Sequence, residues 1–187
     1  MKQKKESKTI VVGLDLSLTS TGVVVLHNDK IVEQKVVRSS PVGPLPVDEA
    51  KRLNTISEQV LALVPDTAEL VAIEGIGFSI SKTTAIAQLA AINYITRIGL
   101  MKRGISFVIV YPTTLKKFIT EKGNSQKDLV MLEIYKQYGH SLTDNNIADA
   151  FVLATIGQSL LGKPTKKPTQ RQDEVIKLLK KQIDEKK

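Results

Sequence analysis

The chain has 187 residues, 42% of them apolar, a formal net charge of +8 and no cysteine. That length suits one domain with a core of its own. Without cysteine there is no disulfide, no thiolate metal site and no Cys nucleophile, and no apolar run reaches the ~18 residues that a membrane span needs. The opening residues, MKQKKESK, lack the apolar stretch of a secretory signal. A soluble protein of the cytoplasm, with no membrane partner, is therefore expected. The charge is concentrated at the ends. Residues 1–8 carry four Lys against one Glu, residues 163–187 carry nine basic against four acidic residues, and the middle carries 14 of each sign. Basic ends on a neutral middle suit a polyanion such as a phosphate backbone. They also suit plain solubilising tails.

The elements follow in chain order. Residues 9–16 (TIVVGLDL) are β-branched and bounded by charge, which predicts a buried strand. TGVVVLH (21–27) and IVEQKVV (31–37) continue it as an antiparallel meander, with Asn28-Asp29-Lys30 as a tight turn. After the loop SSPVGPLP, the apolar positions Leu53, Ile56, Val60, Leu61 and Val64 repeat with helical spacing. ELVAIE (69–74) is a fourth strand. Residues 82–103 are a long helix that Gly104 stops, and ISFVIV (105–110) is a fifth strand. PTTLKKFIT is a short helix opened by Pro112. GNSQ is a turn whose Ser125 is placed to cap the helix KDLVMLEIYKQY. Residues 145–161 form the last core helix. Beyond the linker 163–168, Val175, Ile176, Leu179 and Ile183 make an amphipathic stripe, fit either to dock or to form on a partner. A helix between strands four and five implies a parallel right-handed crossover, hence a mixed α/β sheet with helices on its faces.

Three acids interrupt these apolar segments: Asp15 in IVVGLDLS, Glu74 at the end of ELVAIEG and Asp149 in NIADAFVLATIG. A buried carboxylate is costly unless something positive compensates it, and a pair of Mg²⁺ ions would do so. Convergence of the three would point to phosphodiester cleavage.

The motifs around the acids carry a resemblance. GLDLSLTSTG sets Asp15 on a strand before a turn that closes on Thr21-Gly22. VAIEG ends a strand on Glu74. YPTTLKKFITEKGNSQK starts with Tyr-Pro and holds the spaced lysines Lys116 and Lys127, and NIADA places Asp149 on a helix. From about residue 10 to 160 these segments, in this order, resemble the RuvC family of Holliday junction resolvases within the ribonuclease-H-like nucleases. The resemblance implies a ribonuclease-H-like domain over 9–162, with a five-stranded mixed sheet flanked by helices. It implies an Mg²⁺-dependent endonuclease, with Mn²⁺ able to substitute, acting on branched DNA as a homodimer. Asp15 would bridge two metals, Glu74 and Asp149 would each bind one, and Lys127 would neutralise charge developing on the phosphate. The compact length and degenerate motifs look most like phage-encoded members, which would act in the host cytoplasm and on forks as well as junctions.

One departure stands out. The family usually has a second acid three residues before the Asp149 position, and here that residue is Asn146. Either Asp144 swings in to replace it, or the chain is an engineered Asp→Asn variant. Phe78 resembles the family's base-stacking aromatic, offset by one residue. Ser81, Lys82 and Thr83, ahead of a helix, are candidates for phosphate contact, as are Lys116 and Lys117. Two rivals remain. Asn146 also suits a branched-DNA-binding protein with weak or no cleavage, and GLDLSLTSTG also resembles the first phosphate loop of actin-like ATPases.

Overall fold

The computed structural model describes residues 9–77 and 83–184. Three strands come first: β1 (Ile10–Asp15), β2 (Ser20–His27) and β3 (Lys30–Arg38). They are followed by α1 (Pro46–Ala62), β4 (Leu70–Glu74), α2 (Thr83–Lys102) and β5 (Phe107–Val110). Four helices close the chain: α3 (Pro112–Thr120), α4 (Lys127–Tyr138), α5 (Asn145–Leu160) and α6 (Gln170–Asp184). The sheet order is β3-β2-β1-β4-β5, with β1 antiparallel to β2 and parallel to β4, and β4 parallel to β5. This is the five-stranded mixed sheet expected, and the expected element bounds agree to within about two residues.

The period-2 alternation of strands decides what each face holds. Val12, Leu14, Val71 and Ile73 pack under α1 and α2, where the Ser57 and Thr96 hydroxyls bond at 3.1 Å inside the interface. Val24, Leu26, Leu70, Ala72, Val108 and Val110 pack on the opposite face, against α3, α4, α5 and α6. Asp15 and Glu74 fall on this second face by the same alternation, each at the C-terminal end of a central strand.

Helix α5 lies across β1, β2 and β4, and its residues from Ile147 to Leu160, except Asp149, are buried. A helix buried nearly all round cannot be amphipathic, which accounts for its apolar composition. Its seat depends on glycine. A Cβ at Gly13 would stand 1.9 Å from the Ala150 carbonyl oxygen, and one at Gly22 would stand 2.1 Å from the Asn146 carbonyl oxygen. Only hydrogen at those two positions lets helix and sheet backbones meet.

Two local expectations are refined. Ser125 does not cap α4: the N-cap is Gln126, and the Ser125 hydroxyl bonds Thr120 Oγ1 at 2.6 Å and donates to the Lys122 carbonyl at 3.0 Å. It closes the turn after α3, and that geometry spends its hydroxyl. The amphipathic stripe of α6 does dock, with Val175, Ile176 and Leu179 buried in the α5-side core. Among the described residues, no helix is long and apolar enough to cross a membrane.

The glycine seat makes a prediction. Gly22→Ala must push α5 off the sheet and is expected to lose about 2 kcal/mol or more in urea unfolding. Gly123→Ala, whose Cβ would meet nothing closer than 3.3 Å, is expected to lose far less. Equal losses in the two variants would contradict the seat.

Candidate active site

Asp15 ends β1, Glu74 ends β4, and Asp149 stands one turn into α5. The chain leaves Asp15 through a loop that Thr21 ties down, since its buried hydroxyl accepts from Ser17 N–H at 3.0 Å and donates to Ser17 C=O at 2.9 Å. Gly22, next in sequence, is the cross-strand partner of Asp15 and lies directly under Asn146. Seating α5 on the sheet thus brings its first turns over the ends of β1 and β2.

The three expected acids converge. Asp15 is only 8% exposed and shares a side-chain hydrogen bond with Glu74. Burial first, then the charge of Glu74, holds the Asp15 carboxyl well above the usual carboxylate range. Glu74 is also raised, by burial and then by the charge of Asp149, despite the bond from Asp15. Asp149 is pushed up to about 6 by burial and by the charge of Asp15. Lys127, the first residue of α4, opposes the rise at all three, and Lys116 opposes it at Glu74 and Asp149. Lys117 instead turns toward α6, 3.8 Å from Glu174.

Asp144 and Asn146 are bound to each other. Asp144 is the N-cap of α5, and its Oδ1 accepts from Asn146 N–H at 2.8 Å, Ile147 N–H at 3.3 Å and the Asn146 side-chain amide at 3.0 Å. Burial raises the Asp144 pKa, but these three donors outweigh it and, with Arg38, hold the carboxyl below its ordinary value. Arg38 Nη2 lies 3.8 Å from Asp144 Oδ2. An Asp just ahead of a helical run is also a cap signal, which the expectation of Asp144 as a metal ligand left unused. The Arg38 contact comes from strand pairing with β2 and had no local signal. Phe78, Ser81 and Lys82 lie outside the described residues, as does the side chain of Thr83.

These residues fit divalent cations through the chemistry of the donor set. Three carboxyls raise one another's pKa values, and two lysines oppose that rise without cancelling it. Among the described residues, no three Asp, Glu or His side chains form a ready cage around one point. The acids are instead mutual neighbours, with Asp15 bonded to Glu74 and the charge of Asp149 felt at Glu74. Such a group suits Mg²⁺, which keeps several waters and takes one or two carboxylates per ion. The large cavity lined by Thr9, His27, Gln158 and Lys163 is at the other end of the sheet, where β1 begins.

The raised carboxyls carry a pH signature. A raised folded pKa gives stability that is complete below the unfolded value and lost as pH climbs through the folded one. For Asp149 that window runs from 3.8 to about 6. In the presence of chelator, Asp149→Asn is expected to match the parent near the bottom of this window. At about pH 7.5 it should exceed the parent by on the order of 2 kcal/mol in denaturant unfolding. A variant less stable than the parent at the higher pH would show that Asp149 is not held against its neighbours' charge.

Comparison with known proteins agrees with this geometry. The structure is similar to that of RuvC from Thermus thermophilus, at 21% identity and a TM-score of 0.68 over 86% of this chain and 100% of that one. It is similar to the same organism's RuvC in complex with a Holliday junction substrate, at 21% identity and a TM-score of 0.67 over 86% and 99%. The yeast mitochondrial Holliday junction resolvase Ydc2 aligns at 10% identity and a TM-score of 0.54, covering 95% of this chain and 86% of that one. No curated protein sequence matches. The family model for the crossover junction endodeoxyribonuclease RuvC matches residues 11–157, a span holding every acid of the site. The chain therefore belongs to the RuvC family of junction-cleaving, divalent-metal-dependent endonucleases.

Proposed function

We propose that this chain hydrolyses phosphodiesters in four-way DNA junctions with Mg²⁺ as its metal and Mn²⁺ as a substitute. The observation that carries the reading is the group of three carboxyls, each raised by burial and by a neighbour's charge. When bound, two divalent ions supply an activated water and stabilise the leaving oxygen. Asp15, Glu74 and Asp149 would hold them, Asp15 as the most buried of the three and bonded to Glu74. Lys127 and Lys116 add positive charge for the scissile phosphate.

Asn146 takes the fourth corner. Its amide nitrogen is held by Asp144, which leaves its oxygen free to serve as a neutral donor. Asp144 would forfeit the helix cap by swinging in, at a cost of about 1 kcal/mol, so its role in this reading is to hold Asn146. The Holliday junction bound by the T. thermophilus relative supports a four-way substrate. A homodimer is supported by α2, which exposes Tyr94, Ile98 and Met101 at helical spacing, with Ile86 and Ala90 half-buried nearby. Two copies related by a two-fold axis would set two sites for paired cuts. Such an enzyme belongs in the cytoplasm, that of the host if the gene is a phage's. The neutral Asn146 favours one second reading, a branched-DNA binder that cuts weakly.

A labelled four-way junction separates the two. The parent protein is expected to nick it only with Mg²⁺ or Mn²⁺. Glu74→Gln should lose about a hundredfold or more in rate, as expected for removing one transition-state stabilising contact, yet bind the junction in Ca²⁺ as the parent does. Asn146→Asp should nick at least as fast as the parent. Tight binding without metal-dependent nicking by the parent would favour the second reading instead.

A further inference from the structure

The family match ends at residue 157, so α6 is an addition to the matched body. It is firmly attached. Val175, Ile176 and Leu179 are 2%, 7% and 3% exposed within the core, and α6 packs on α3, α5 and β5. The Gln182 side chain bonds both backbone groups of Ile109, accepting from its N–H at 3.0 Å and donating to its C=O at 2.9 Å. It thereby occupies the open edge of β5 as a further strand would.

That bond also fixes where α6 ends. Ile109 is the register partner of Ile73, the residue before Glu74. The last turns of α6 therefore reach the level of the active-site acids, two strands from Asp15. Those turns are basic. Lys177, Lys180 and Lys181 are exposed, and none of the three is ion-paired among the described residues. The nearby Glu174 is already shared by Arg171 at 2.8 Å and Lys117 at 3.8 Å. Helix α6 also adjoins α3, whose Lys116 acts on Glu74 and Asp149.

We propose that α6 is a second DNA-binding surface, in which Lys177, Lys180 and Lys181 hold the phosphate backbone of an arm leaving the cleavage site. The inference rests on the nuclease reading and extends it beyond the matched body. Charge complementarity identifies the partner. A rigid helix bearing ammonium groups with no ion pair among the described residues, level with a phosphodiester-cleaving centre, meets the next phosphates of the same substrate. Lysines on a smooth helical face recognise backbone charge and no particular base, so this surface adds affinity without sequence preference.

The test compares two charge-matched variants of the full chain. One carries Lys177→Gln, Lys180→Gln and Lys181→Gln. The other carries Lys30→Gln, Lys35→Gln and Lys51→Gln, all exposed and located on β3 and α1. Junction binding is measured in Ca²⁺ across a salt series, with thermal melting as the check on folding. The α6 variant is expected to bind about tenfold more weakly or worse, with a salt slope smaller by about 2 to 3. It should melt like the parent and cleave as fast once saturated. The β3 and α1 variant should change little. Equal losses in both variants, or none in the α6 variant while the parent binds well, would overturn the proposal and leave the nuclease reading intact. A parent that binds no junction would remove both.

Discussion

Backbone-to-backbone contact between α5 and the sheet is the constraint on which the rest depends. Gly13 and Gly22 remove the side chains that would hold them apart, and the carbonyls of Ala150 and Asn146 occupy the space. Because Gly22 is paired with Asp15, that contact also fixes Asn146 beside the end of β1 and Asp149 one turn further along. Strand alternation supplies the other half, turning Asp15 and Glu74 toward the same helix. A shift of one residue in either strand would send its acid to the α1 and α2 face.

The fold thus gathers negative charge where burial makes charge expensive. Asp15, Glu74 and Asp149 each retain protons more tightly than free carboxyls do, and no arginine is ion-paired to any of them among the described residues. The one carboxylate of the neighbourhood held below its ordinary value is Asp144, which satisfies the first turn of α5. The two kinds of acid have different work. Asp144 stabilises the helix that presents the site, whereas the group of three carries charge that no described cation pairs with. Function here is set against stability, as is usual where a site must bind and release charge.

Much of this was legible in the sequence because its signals were local. Pro112 opens α3 sharply and the GNSQ turn precedes α4, and the expected bounds of both helices agree with the structure to the residue. Acids inside apolar runs marked the site. What was not legible depends on packing. Nothing in the spacing of Gly13 and Gly22 says that a helix will lie on them, since glycine in a strand equally marks a bulge. Lys116 and Lys117 are neighbours in sequence, but helical rotation sends one toward the acids and the other toward Glu174. The stripe on α6 suits its own body and a foreign partner equally well, and only the matching groove beside α3 and α5 decides. Asp144 posed the same difficulty, because an acid near a helix start suits a helix cap and a metal ligand equally.

Diffraction from a crystal soaked in Mn²⁺, recorded at the manganese edge, tests the central claim most directly. The account predicts two anomalous peaks, both against the Asp15 carboxylate, one shared with Glu74 and the other with Asp149. Manganese bound elsewhere, or no peak beside Asp15 at saturating Mn²⁺, would contradict it.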